Sequence, residues 1–321
     1  MVAKRLSLGR LLSGERLTLI FFLVYFLFSM LLVGKFSNPV NLTNILVQSA
    51  DLIILSCGMT FVFMNGGIDF SVTAILGLES VLGARVMTLV GDPLLSVFSG
   101  VAFMLFIGLA IGCINGLTVT MLKMPSFIAT MATQLIFSGL ALWYTQSATI
   151  GGLPRPFSYI GRGRLIGVPM PIVITLAVVL ATAFILHRTV LGRYIFAVGT
   201  NHRTARISGI PIKRTIFKLF LFSGGLSALS GVIMTSRSGA GMPAMGKTML
   251  MDIVGAVVIG GTSVTGGSGS IFGTAIGAVL IIVLNNSLNL LGVDWFVINA
   301  LKGAMIVLVA LLGVLRDAGR R

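Results

Sequence analysis

Long apolar runs, interrupted by short polar or glycine-rich stretches, set the pattern of this chain. The runs fall near residues 17–33, 42–64, 70–90, 94–122, 125–147, 168–186, 216–236, 250–264, 271–291 and 296–315. A helix needs about 20 predominantly apolar residues to cross a bilayer, and about 17 at the least. The pattern therefore predicts an all-α polytopic membrane protein with about ten transmembrane helices, the crossing at 250–264 being short. The first run follows a basic stretch, Met1–Arg16. It is long for the apolar part of a signal peptide and has no small-residue cleavage site, so it reads as a retained first helix. No long Pro-, Gly- or Ser-rich linker divides the chain, which predicts a single domain over 1–321.

Composition closes off other classes. Hydrophobic residues make up 56% of the chain and charged residues 10%, against roughly a quarter charged in a soluble domain. Too little polar surface is available to cover a globule in water, so a soluble enzyme or a secreted domain is excluded. The net charge of +15 does not point to nucleic acid, because the Lys and Arg residues sit in the breaks between apolar runs. That is the distribution of the positive-inside rule. The stretch His187–Lys218 holds seven of the 23 Lys and Arg residues. Lys4, Arg5, Arg10 and Arg16 lie at one end of the chain, and Arg316, Arg320 and Arg321 at the other. If all three regions are cytoplasmic, an even number of crossings flanks 187–218, and six before with four after satisfy this. Arg155, Arg162 and Arg164, in the outer loop 148–167, run against the scheme. Cys57 and Cys113 lie in apolar runs without CxxC spacing and read as small buried hydrophobes.

Candidate chemistry is sparse. Two breaks share a character: Asn65-Gly66-Gly67-Ile68-Asp69-Phe70-Ser71, and Gly260-Gly261-Thr262 through Gly269-Ser270. Backbone that leaves the helix at membrane depth is tolerated only where protein or a water-filled cavity covers it, so Asn65, Asp69, Ser71, Thr262 and Ser263 are candidates for the translocation path. Asp69 has two readings, an intramembrane functional acid and a cap for the helix that follows. Gly241 through Thr248 matches GxxxxGK[ST], but the preceding element is a membrane helix and Pro243 lacks an amide that a phosphate loop would use. The match reads as chance. Asp51, Glu79, Asp252 and Asp294 stand singly, and the two histidines, His187 and His202, lie in the basic loop. Neither a metal site nor a catalytic pair is expected, so the chain itself is not read as an enzyme. Within 187–218, Asn201 is a competent N-cap, Gly209 a stop and Pro211 a barrier, which predicts a helix of about two turns. Such a helix suits docking of another subunit. An ion-coupled carrier or facilitator that needs no ATPase is the alternative, with Asp69 and Asp252 as its acids.

The chain resembles the permease subunit of ribose-type ABC sugar importers over nearly its whole length. The matching stretches are Gly67–Val72, Pro125–Thr130 and Leu191–Gly199 with Asn201, Ala205 and Ser208–Ile210. They continue through Ala256–Ser263, Gly266, Gly267, Gly269, Gly273-Thr274, Asn285-Asn286 and Leu288–Gly292. The resemblance implies a ribose-permease-like architecture, related to that of the vitamin B12 permease, in a bacterial inner membrane. It implies partners too: an ABC ATPase, a periplasmic or lipoprotein sugar-binding protein, and a second permease subunit, identical or different. It carries no cofactor. By the same analogy Gly199, Asn201, His202, Arg203, Ala205, Arg206 and Gly209 form the segment that couples to the ATPase. Four positions depart from the family pattern: His202 and Arg203 replace an acid and a small residue, Leu250 a Glu, and Thr73 a Gly.

Overall fold

A computed structural model describes residues 14–318; Lys4, Arg5, Arg10, Arg320 and Arg321 lie outside the described residues. The regular structure of the described residues is helical apart from one hairpin of two two-residue strands. The helices are α1 (Gly14–Leu32), α2 (Pro39–Phe63), α3 (Val72–Leu89), α4 (Pro93–Thr120) and α5 (Ser126–Thr145). A 3₁₀ turn (Arg155–Phe157), the short α6 (Ser158–Arg162) and strands β1 (Arg164–Leu165) and β2 (Val168–Pro169) lead into α7 (Met170–Arg188). There follow α8 (Val190–Thr200), α9 (His202–Ile207), α10 (Ile212–Ser238), α11 (Leu250–Ile259), α12 (Ile271–Leu290) and α13 (Trp295–Ala318). Among the described residues seven helices are long and apolar enough to cross a membrane: α2, α3, α4, α5, α7, α10 and α12.

Local signals set the boundaries. Asn38 caps α2 by accepting from Val40 N, with Pro39 in the first turn. Asp92 does the same for α4 by accepting from Leu95 N at 2.8 Å, ahead of Pro93. Proline suits the first turn because its missing N–H would be unpaired there anyway. At the other end of α10, Gly239 adopts φ 74° and ends the helix.

α10 is the axis of the fold, with α2, α3 and α4 packed around it. The approach of α4 is close enough to exclude any side chain. An added Cβ at Gly224 would stand 2.2 Å from Gly108 O, and one at Gly112 2.5 Å from Phe220 O. In lipid, helices associate through such close packing rather than hydrophobic exclusion. Phe98, Phe106, Leu135, Leu180 and Phe184 point outward and are exposed, as a lipid-facing surface requires.

Two expectations are corrected. The run 250–264 is not a single spanning helix, because α11 has ten residues and a length of about 15 Å, half a hydrocarbon core of about 30 Å. Gly260 and Gly261 end it, and Gly239–Met249 before it is a chain of turns. The basic stretch 187–218 is not mainly loop. It contains α8, eleven residues whose Gly192, Ile195 and Val198 are buried at helical spacing.

Candidate functional site

The segment expected to couple to a partner is built as its residues require. Asn201 leaves helical geometry (φ −159°, ψ 106°) and its side chain accepts from Arg203 N (2.9 Å) and Thr204 N (3.0 Å). That turns the chain from α8 into α9, a six-residue helix. Ala205 is its one buried residue, and Gly209 follows at φ 74°. His202, Arg203, Arg206 and Ile207 are exposed, Ile207 by 81%. α9 therefore offers three basic or titratable side chains and one apolar one on an open surface. Beside it runs a groove of about 720 Å³, lined by Arg193, Phe196 and Thr200 of α8 and Thr204 and Ser208 near α9, among others.

Gly199 joins this surface to the interior. An added Cβ there would lie 1.9 Å from Met64 O and 2.7 Å from Gly267 N. Gly267 N in turn donates to Met64 O at 2.9 Å. The end of α8 thus meets both glycine-rich breaks, where they are bonded to one another, in backbone-to-backbone contact. Gly266 (φ 90°) and Gly267 (φ 79°) take conformations that disfavour a Cβ. The spacing of these glycines was legible in sequence, but their meeting in one junction was not.

Beyond the junction lies a polar network. Asp69 Oδ1 accepts from Ser71 N (3.0 Å) and Ser71 Oγ (2.6 Å), and Oδ2 accepts from Ser223 Oγ of α10 (2.7 Å). Ser71 Oγ accepts from Asn115 Nδ2 of α4 (2.7 Å), and Asn115 Oδ1 from Thr133 Oγ1 of α5 (2.8 Å). Thr130 Oγ1 donates to Ile68 O at 3.1 Å and Phe70 N donates to it at 3.0 Å, which holds the break against α5. Asp69 and Ser71 are fully buried. The Asp69 carboxylate holds the turn that enters α3 and joins it directly to α10, and through Ser71 and Asn115 to α4 and α5.

The remaining candidates sit nearby. Asn65 is partly buried and neither atom of its side-chain amide finds a partner among the described residues. Thr262 is buried and accepts from Ser270 N at 3.4 Å, while Ser263 Oγ pairs with Thr265 Oγ1 at 2.9 Å. Ser263 N also donates to Ser268 O at 3.0 Å, closing the second break into a loop. Sequence reasoning missed Ser223, Asn115 and Thr133. Asn115 is the one amide in the apolar run of α4, which is the signal that could have found it; Ser223 and Thr133 stand among other Ser, Thr and Gln residues and carry no such signal. It also missed the pairing of Asp51 with Arg237, which joins α2 to α10; Arg237 Nη1 donates further to Val47 O at 3.2 Å.

The comparisons with known proteins agree with this architecture. The family described as "Branched-chain amino acid transport system / permease component" matches residues 41–311. The ribose import permease protein RbsC of Bacillus subtilis is 41% identical over 280 residues, 87% of this chain and 86% of the relative. RbsC of Escherichia coli K12 is 36% identical over 302 residues, 93% of each chain. The D-allose transport system permease protein AlsC of E. coli K12 is 36% identical, covering 83% of this chain and 81% of the relative. With a match over most of its length and relatives of this identity, the chain belongs to the branched-chain amino acid transport system / permease component family.

Proposed function

We propose that the chain is the transmembrane permease subunit of an ATP-binding-cassette importer, forming the inward path for a sugar or similar small polar solute. It is a multi-pass inner-membrane protein. The observation that carries the reading is the junction at Gly199. A short, exposed, capped helix is built onto the same backbone contact that holds both intramembrane breaks. A partner ATPase bound at α9 would move that contact, and through Met64 and Gly267 the network around Asp69. The sugar class follows from the relatives' ribose and allose systems.

The partners are of the kind such permeases work with: an ATPase on α9, a solute-binding protein on the opposite end, and a second permease chain, with the solute path between the two copies. ATP hydrolysis belongs to the ATPase subunit. About ten crossings remain the best count, supported by the seven long helices, by α1 with 19 residues and α13 with 24, and by a composite crossing of Gly239–Met249 with α11. That even number keeps both termini and α9 in the cytoplasm, and the whole chain acts as one permease unit.

The deciding experiment is purification of the tagged chain from native membranes in mild detergent, with mass spectrometry of what accompanies it. A stoichiometric ATPase, lost when Arg203 and Arg206 are changed to Glu, is the expected result. A chain that purifies without an ATPase yet transports under an ion gradient would replace this reading with a secondary carrier.

A further inference from the structure

The segment between α10 and α11 belongs to no helix and yet lies deep in the fold. Gly241 exchanges backbone hydrogen bonds with Ile150 (2.9 and 2.8 Å). From there the chain descends along α3: Met242 N donates to Ser80 Oγ at 3.1 Å, and an added Cβ at Gly77 would stand 2.4 Å from Pro243 O. At the lowest point, an added Cβ on Gly246 (φ 74°) would be 2.3 Å from Leu76 Cδ1. This is the stretch whose letters match a phosphate loop.

Its depth follows from helix rise. Gly58 of α2 touches Ser223 of α10. At about 1.5 Å per residue, Met64 is about 9 Å from that contact in one direction and Gly231 about 12 Å in the other. Glu79 packs on Gly231, so it lies about 20 Å from the junction at Met64. Leu76 and Gly246 are about one turn nearer, some 15 Å from the junction. If the junction, next to the surface that carries α9, marks one face of a hydrocarbon core about 30 Å thick, both levels are interior. Irregular backbone at that depth persists only where protein covers it or where it lines a water-filled space. Gly241, Pro243 and Met245 are covered, whereas Ala244, Lys247 and Thr248 are exposed. An ammonium group open at this depth requires water or facing protein.

Glu79 is the second observation. It is 0% exposed, and neither carboxyl oxygen has a hydrogen-bond partner among the described residues. Its carboxyl lies against α10 where Gly231 leaves room, since a Cβ there would fall 1.5 Å from Oε1. Leu76 fills the gap between the two features, with Cδ2 beside Gly231 and Cδ1 beside Gly246. A carboxyl that can accept several hydrogen bonds and makes none is among the costliest groups to bury. Retaining it at this depth makes sense if another conformation supplies donors.

We propose that Glu79 and the segment Gly241–Thr248 form a mid-membrane solute subsite, closed here by Leu76, in which Glu79 accepts the hydroxyl donors of a neutral polyhydroxylated solute. The proposal rests on the importer reading and deepens it. It gives the 241–248 motif a role unrelated to nucleotides, and it explains why α11 is half a crossing: its first turn starts where the solute would pass.

The test uses the full importer, with ATPase and binding protein, in a background of Cys57→Ser and Cys113→Ser. Glu79→Cys and Thr248→Cys are treated with a charged, membrane-impermeant methanethiosulfonate in the nucleotide-free, ATP-bound and vanadate-trapped states. The expected result is labelling of Thr248→Cys, and labelling of Glu79→Cys that appears in at least one state and is slowed at least fivefold by transported sugar. D-ribose, D-allose and D-xylose serve as probes. In parallel, Glu79→Gln should co-purify with the ATPase but take up sugar at least tenfold more slowly. Glu79→Cys that stays unlabelled in every state while Thr248→Cys reacts, or wild-type uptake by both Glu79→Gln and Glu79→Leu, would overturn the subsite. A wild-type chain that binds no ATPase would instead overturn the importer reading, and labelling in the nucleotide-free state without sugar, which needs neither ATPase nor solute, separates the two failures.

Discussion

Replacing Gly199 with alanine should break the link between the docking surface and the membrane interior. The added Cβ would start 1.9 Å from Met64 O and 2.7 Å from Gly267 N. A relaxed contact needs about 3.5 Å, so α8 and the first break must separate by about 1.5 Å. Both neighbours are backbone atoms, which cannot rotate away as a side chain would. Overpacking of this kind costs about 1–3 kcal/mol. Losing the bond from Gly267 N to Met64 O adds about 1 kcal/mol. Together about 2–4 kcal/mol would weigh against this conformer, a population change of between about thirtyfold and a thousandfold. Conformers in which α8 has already parted from the breaks escape the penalty, so the equilibrium shifts rather than the fold failing. The assay is ATP-driven uptake into proteoliposomes, read as solute moved per ATP hydrolysed. Hydrolysis should continue and the ratio should fall at least tenfold. Gly139→Ala, on the exposed face of α5 where an added Cβ meets nothing within 4 Å, is the control and should behave as wild type. A Gly199→Ala chain with an unchanged ratio would refute the mechanical link.

Three further outcomes follow from the same geometry. Arg206→Glu should insert and fold normally but lose the ATPase on purification and abolish ATP-driven uptake; normal uptake would show that α9 is not the docking helix. Asp69→Ala strands the hydroxyls of Ser71 and Ser223 and a backbone N–H, at about 1–3 kcal/mol for each group left unpaired. Its thermal unfolding midpoint in detergent should drop well below that of Asp69→Asn, which keeps an acceptor, and equal midpoints would contradict the network. Arg237→Ala leaves the buried Asp51 carboxylate without its cation, a loss of about 3–5 kcal/mol. The double change Asp51→Asn with Arg237→Gln should recover much of that loss in the same melt, and no recovery would mean the pair is not what holds α2 to α10.

Much of the architecture could be read from the chain. Hydropathy located α2, α3, α4, α5, α7, α10 and α12 to within a few residues, because a membrane helix declares itself by length and apolarity alone. The cap at Asn201, the stop at Gly209 and the barrier at Pro211 gave α9 directly, since capping is a local event. α8 escaped because its eleven residues, though apolar enough, are too few for a reading keyed to spans of about 20. The failure of 250–264 as a single span has a different cause. The apolar letters there end at Ile259, and the span 250–264 takes in Gly260-Gly261-Thr262-Ser263, the start of the second break, so too few residues remain for a crossing.

The sequence by itself determined the class of solvent, the order of the helices, the caps that start and stop them, and the resemblance to importer permeases. These depend on composition and on residues close together in the chain. The tertiary structure decided which polar groups meet. Gly199 stands 135 residues from Met64 and 68 from Gly267, and Asp69 stands 154 from Ser223. No local pattern encodes such pairings, because a hydrogen bond between helices depends on their rotation and depth, and those are set by close packing such as that of Gly224 on Gly108. For the same reason a solitary Glu79 in the sequence is only a charge out of place. Its burial against Gly231, beside a stretch of irregular backbone in the middle of the membrane, makes it a candidate for contact with the solute.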